Sequence, residues 1–426
     1  MSGKVPTLLG LGVAALVLAA AAFLFANALR PAPTLEGMDA LLDARRFDEA
    51  ERRLEEFLRA QPDSAQAHML MAQVALARED QKPRQALEHL KRVRVVDKSQ
   101  RAVVRLNEGK AYSALRDYVR AESAWKSALE LDPLVPEAGW ALLGLYYVEG
   151  RRRDAEQLGL ALHASEPDPR DRVQLLLELL RQDAQPIIAF TIINTFEPAV
   201  LEHPEDLHAT LALGRAEVGE DHFDRGLDIL RRAVDRHPGA REAWDALLAG
   251  LERATRPEEL ARTVERLPTS ISGDPRFLRY LGMVAQDRRD WARAEDLLLR
   301  AREHDPADTQ VLYRLFRVLH LRGRGAEARR LEQQFRDAQS AQLELLPLYH
   351  QVKGDTTLGM GPNPELYRRI ALLRERTGRL EEALAWHRLI LRDDPGDAES
   401  RAAIDRLSTR SAVRVKLDPP PAAGTR

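Results

Sequence analysis

The sequence predicts an all-α fold: a right-handed superhelical solenoid of paired helices, preceded by one membrane-spanning helix. Three observations carry this. A spacing of 34 residues recurs, marked by Pro133 and Pro167, by Pro204 and Pro238, and after twice that interval by Pro306. Charged residues make up 31% of the chain and aromatics 5%, with Ala, Leu, Arg and Glu dominant, which is the palette of helices. From Thr7 to Leu29 there is no charged residue, and at ~1.5 Å per residue such a helix crosses the roughly 30 Å core of a bilayer. A chain of 426 residues exceeds one ordinary globular core, but a solenoid lengthens by adding repeats.

In chain order, residues 1–6 are a short flank and residues 7–29 the membrane anchor. A cleaved signal peptide is the alternative, because Ala26-Asn27-Ala28 has the small-residue spacing that a signal peptidase accepts after Ala28. The apolar run is longer than the 7 to 15 residues or so of a signal-peptide core, which favours an uncleaved single-pass anchor. Lys4 and the amino terminus favour keeping the leading segment inside, so the repeats are expected on the extracytoplasmic side of the cell membrane. Arg30, Arg45 and Arg46 pull the other way, toward a cytoplasm-facing arrangement. Cleavage would instead give a secreted or periplasmic protein.

The clearest unit runs from Ala102 to Val135. Gly109, Tyr112, Tyr118, Ala121, Trp125, Ala128 and Pro133 stand at its positions 8, 11, 17, 20, 24, 27 and 32. Arg116-Asp117 separates two amphipathic helices, small residues let them approach, and Tyr112 and Trp125 fill the gap between them. This pattern resembles the tetratricopeptide repeat. Related units carry Phe47, Ala50, Leu54 and Pro62, then Trp140, Gly144 and Tyr147, then Leu213, Gly214, Phe223 and Pro238. Leu278, Gly282, Trp291, Ala294, Leu298 and Pro306 mark another, and Tyr367, Gly378, Leu380 and Ala383 the last. The solenoid is thus expected over 35–407, with degenerate units near 168–204 and 337–364. In the first of these, the β-branched run Ile187 to Ile193 reads as a distorted repeat helix, because no second strand candidate exists to pair with it. In the second, Lys353 to Pro364 reads as a Gly/Pro loop. Residues 408–426 read as a disordered tail.

The resemblance implies a concave groove, lined by the first helix of each pair, that holds a protein or peptide partner. Positions 2, 5, 9 and 12 of each unit face it. Carried over, these give Leu106, Lys110 and Ser113 in the third unit, and Leu145 and Val148 in the fourth. In the unit opening at Pro275 they are Arg276, Arg279, Met283 and Gln286. Two arginines at such positions either meet an acidic partner or simply solvate the helix surface. A clamp built on paired Lys and Asn, known in this family, is not available, since Asn107 is the only asparagine in a clear unit.

Nothing points to catalysis, a cofactor or a metal site. Cysteine is absent, which removes thiolate zinc sites, disulfides and cysteine nucleophiles. The histidines are dispersed and form no HExxH motif. Basic and acidic residues nearly balance, 64 against 66, so no nucleic-acid footprint is expected. Arginine far outnumbers the eight lysines, as in proteins from GC-rich bacterial genomes. The expected function is a membrane-tethered interaction scaffold, in contact with the lipid bilayer through residues 7–29, that gathers partners of a bacterial envelope assembly. The alternatives are a cytoplasm-facing adaptor and an accessory subunit of an envelope enzyme.

Overall fold

The structure, a computed structural model, describes residues 34–94, 97–133, 135–185 and 187–417, with side chains to Thr409. The apolar segment 7–29 and the cleavage site at Ala28 lie outside the described residues. Among the described residues no single helix is long and apolar enough to cross a membrane. The chain divides into two units, ending and beginning at Leu115 and Arg116.

The first unit contains α1 (Met38–Asp43), α2 (Phe47–Ala60), α3 (Ala65–Ala77), α4 (Pro83–Leu90) and α5 (Lys98–Ala114). Ala50, Leu54 and Phe57 recur at helical spacing on α2 and pack with Met38 and Leu41 of α1 and Met71 and Val74 of α3. The Ser64 hydroxyl caps α3 by accepting from the Ala67 amide. Glu51, next to the buried Ala50, reaches Arg78 at 3.1 Å and Lys82 at 3.4 Å and ties one pair to the next.

The second unit begins with α6 (Tyr118–Leu131), α7 (Pro136–Val148), α8 (Arg152–Ser165), α9 (Pro169–Ala184) and α10 (Ala189–Glu202). It continues with α11 (Leu207–Gly219), α12 (Phe223–Arg236), α13 (Arg241–Arg253), α14 (Pro257–Glu265), α15 (Leu278–Asp287) and α16 (Trp291–His304). The last helices are α17 (Thr309–Leu321), α18 (Gly325–Thr357), α19 (Pro364–Arg376), α20 (Leu380–Asp393) and α21 (Ala398–Leu417). The turns inside the pairs share one device, a residue in the left-handed region: Arg116, Asp221, Thr255 and Arg289, or Gly323 and Gly378. The helices then approach closely. A Cβ on Gly214 would lie 2.7 Å from Leu230, and one on Gly282 would lie 2.8 Å from Leu298, the same relationship in two different pairs.

The helices α8 and α9 depart from a simple stack. Tyr118 of α6 and Val148 of α7 pack with Phe196 and Ala199 of α10 and Leu213 of α11, so α10 follows α7 in space. The apolar face of α9, with Val173, Leu176, Leu177 and Leu180, instead enters a core with Leu345 and Val352 of α18, Ile370 of α19 and Trp386 of α20. The second unit therefore joins its early and late helices around one shared core.

The β-branched run is helical from Ala189 onward, as expected, and α9 and α10 are set at 100° to one another. Two expectations change. Lys353 to Thr357 continue α18 and do not form a loop, because Leu345, Leu348, Tyr349 and Val352 bury a continuous face and hold the helix past Pro347. Residues 408–417 are helical and extend α21, where a disordered tail was expected.

Candidate partner-binding groove

The expected site residues fall in both units. In the first, Leu106 is buried on α5, Lys110 is exposed and Ser113 is half-buried. In the second, Leu145 is buried on α7, while Val148 packs against the α10–α11 core. Met283 belongs to the core shared by α11 to α15.

Arg276 and Arg279 neither project freely nor solvate an open face. Arg276 donates to Glu242 of α13 at 3.0 Å and also meets Asp274. Arg279 lies over the Tyr280 ring, 3.2 Å from Asp308 and 3.7 Å from Glu252. Gln286 donates to the Arg314 carbonyl at 3.4 Å, and Arg314 in turn donates to Glu252 at 2.7 Å. The Tyr280 hydroxyl bonds to Asp245 at 3.0 Å. The first helices α13, α15 and α17 are thus bridged pair to pair by charged and polar side chains on one face.

These bridging residues were within reach of sequence reasoning. The register that selects Arg276 and Arg279 also selects Glu242, Asp245 and Glu252 on α13, and His208 and Arg215 on α11. Asp308 and Arg314, which complete the bridges, stand outside the face positions of that register. In the turn before α8, away from this ladder, Arg151 meets Glu122 at 2.7 Å and Glu149 at 3.0 Å. Burial opposes ionisation of Glu122, but hydrogen bonds from Arg151 and Lys126 overcome it and bring the carboxyl down to about 2. Glu149 is more deeply buried, and burial outweighs Arg151 and raises it to about 8. Burial likewise depresses His208 to about 4, so it is neutral at pH 7.

This geometry offers a long polar face with built-in charge pairs. Among the described residues no group of three or more His, Asp or Glu side chains is placed to hold a metal ion. The class defined by the fold and this face is an α-helical repeat scaffold. The tetratricopeptide repeat pattern matches residues 35–94, 106–169 and 281–342, so the chain carries tetratricopeptide repeats in these three regions. It is similar to the cellulose synthase operon protein C of Pseudomonas fluorescens (strain SBW25), 24% identical over 279 residues. That match covers 52% of this chain but 22% of the relative, so the chain spans about a fifth of the relative's length. Similar solved structures include the APC/C hetero-tetramer Cut9–Hcn1, at 12% identity, 90% coverage of this chain, 87% of that one and a TM-score of 0.30. The C-terminal part of a repeat-containing protein from Cytophaga hutchinsonii matches at 14% identity, 66% and 99% coverage and a TM-score of 0.31.

Proposed function

We propose that this chain is a membrane-tethered scaffold that binds a protein or peptide partner along the first-helix face, as part of a bacterial envelope assembly. The observation that carries the binding role is the ladder from Glu242 and Arg276 to Glu252 and Arg314. It presents polar groups over successive helix pairs. Repeat proteins of this kind are generally non-catalytic, and their surface is an extended binding face. The tether is supported by the uncharged run from Thr7 to Leu29, and the extracytoplasmic side by Lys4 and the amino terminus. In this reading the pairs wind as a right-handed superhelix, with the ladder on its concave side.

A second reading, accessory subunit of an envelope enzyme that builds a polymer, is favoured by the similarity to a protein named for a cellulose synthase operon. Both readings are tested by crosslinking the full-length protein in native membranes and identifying what co-purifies in stoichiometric amount. A co-purifying protein without synthase activity supports the scaffold; a polymerising enzyme supports the accessory subunit. Turnover of a substrate by the purified chain alone would contradict both. A reporter active only outside the cytoplasm, fused after Arg426, tests the topology: activity supports it and silence overturns it.

A further inference from the structure

The turn between α4 and α5 concentrates positive charge in a chain whose charges otherwise nearly cancel. From Lys91 to Arg101 stand five cations, Lys91, Arg92, Arg94, Lys98 and Arg101, against one carboxylate, Asp97. All five are exposed. Lys91 meets Glu88 at 2.7 Å, and Asp97 is engaged as the cap of α5, accepting from the Gln100 amide at 3.0 Å. Among the described residues no carboxylate comes within ion-pairing distance of Arg92, Arg94, Lys98 or Arg101. In other turns arginine is paired: Arg78 with Asp48 and Glu51, Arg151 with Glu122, Arg256 with Asp224, and Arg324 with Glu295.

This turn lies at the edge of the first unit where the chain enters α1. Asp48, opening α2, meets Arg78, closing α3, at 2.7 Å. The Nδ1 atoms of His68, in the first turn of α3, and His89, in the last turn of α4, lie 3.0 Å apart. Successive helices joined by short turns thus run antiparallel, and α1, α3 and α5 all begin at one edge. The uncharged run ends at Leu29 and the described chain opens at Thr34, a separation that at ~3.6 Å per residue is at most about 18 Å. An anchor over residues 7–29 therefore keeps this edge beside the lipid headgroups. Glu36, Asp39 and Asp63 are exposed near the starts of α1 and α3, and the cations gather at the start of α5.

We propose that the α4–α5 corner docks on the bilayer that holds the chain, with Arg92, Arg94, Lys98 and Arg101 against the phosphates of anionic lipids. This rests on the reading of residues 7–29 as a retained anchor. It goes further by giving the first unit a second, electrostatic contact with the membrane. A headgroup layer is a diffuse sheet of phosphodiesters, so exposed cations on a turn suit it without a pocket, and their attraction decays over a Debye length of about 8 to 10 Å. The anchor supplies proximity, and the basic corner supplies orientation.

The test exploits the absence of cysteine. Single cysteines in the full-length protein are labelled with bimane and read in vesicles of phosphatidylcholine, with or without phosphatidylglycerol, by quenching from nitroxide lipids. Gln100→Cys reports the corner, Glu79→Cys the opposite edge in the α3–α4 turn, and Ala19→Cys the anchor. A headgroup nitroxide should quench position 100 and not position 79 in phosphatidylglycerol vesicles, and salt should reverse it. Arg92→Gln with Arg94→Gln should lower the ratio of docked to undocked corner about tenfold or more. Arg92→Lys with Arg94→Lys should leave it nearly unchanged, which separates charge from folding. An unquenched position 100 beside a position 19 quenched by an acyl-chain nitroxide overturns the inference and leaves the anchor standing. No quenching at position 19 overturns the anchor and the inference with it. Quenching at position 100 that is equal without phosphatidylglycerol, or indifferent to the glutamine variants, overturns the electrostatic docking. Polyglutamate held by the detergent-solubilised protein through the same arginines, with no quenching at position 100 in vesicles, assigns the corner to an acidic protein and overturns the lipid.

Discussion

Glu156 on α8 and Arg379 ahead of α20 lie 3.6 Å apart, on helices far separated in the chain. The pair repeats a contact that consecutive repeats use. Glu122 meets Arg151, and Glu295 meets Arg322 at 2.6 Å and also Arg324; each glutamate follows a fully buried alanine, Ala121 or Ala294, as Glu156 follows Ala155. The last helix pair therefore meets α8 much as a next repeat would. Around this contact three arginines, Arg152, Arg374 and Arg379, face three carboxylates, Glu156, Asp183 and Glu382. Arg374 and Glu382 are almost wholly buried, and Arg374 reaches Asp183 at 2.6 Å. Burial opposes the charged form of Asp183, but Arg374 and Arg152 hold its carboxyl well below the usual carboxylate range.

Removing one member of that cluster leaves a buried charge without its partner. Glu382→Ala is expected to cost about 3–5 kcal/mol of stability. Urea unfolding followed by far-UV circular dichroism checks it, and an unmoved midpoint would show that the cluster is not formed.

Thr255 sits in the left-handed region, φ 54, in the turn between α13 and α14, and its side chain is exposed. A β-branched residue is strained there by about 1–2 kcal/mol, and glycine gives part of that back as chain entropy. Thr255→Gly should raise stability by roughly 0.5–1 kcal/mol. A melting temperature that falls in this variant would place the turn in another conformation.

His163 of α8 contacts the Arg172 carbonyl at 3.0 Å, and burial, with Arg392 and Arg388 nearby, depresses its imidazole to about 4. A depressed folded-state value means that its contribution to stability is present above about pH 6.5, the unfolded value, and is lost as the pH falls toward 4. Histidine-labelled NMR should find this ring neutral at pH 5. Titration near 6.5 would contradict its burial.

Ala121 is fully buried on α6. Ala121→Leu should cost about 1–3 kcal/mol by overpacking. Thermal unfolding that matches the native protein would mean that the position has room to spare.

Helix pairing was legible because its signals are local: the 34-residue register, the prolines, and the small residues at Gly214 and Gly282 that meet Leu230 and Leu298. What the register does not encode is where a helix goes when it leaves the stack. The departure of α9 depends on apolar contacts with α18 to α20, and long-range packing leaves no periodic trace; the same contacts override Pro347 and Gly354. The arginines at Arg276 and Arg279 were legible as face residues, but their pairing with Glu242, Glu252 and Asp308 depends on how adjacent pairs are set in space.

The most direct test of the binding face is site-specific photo-crosslinking in living cells. A benzophenone amino acid replaces Arg317, exposed on α17 at the face position that Arg215 holds on α11, or Asp296, exposed on the second helix α16. The account predicts a discrete crosslinked partner from position 317 and none from position 296. A partner captured from 296 alone would contradict it.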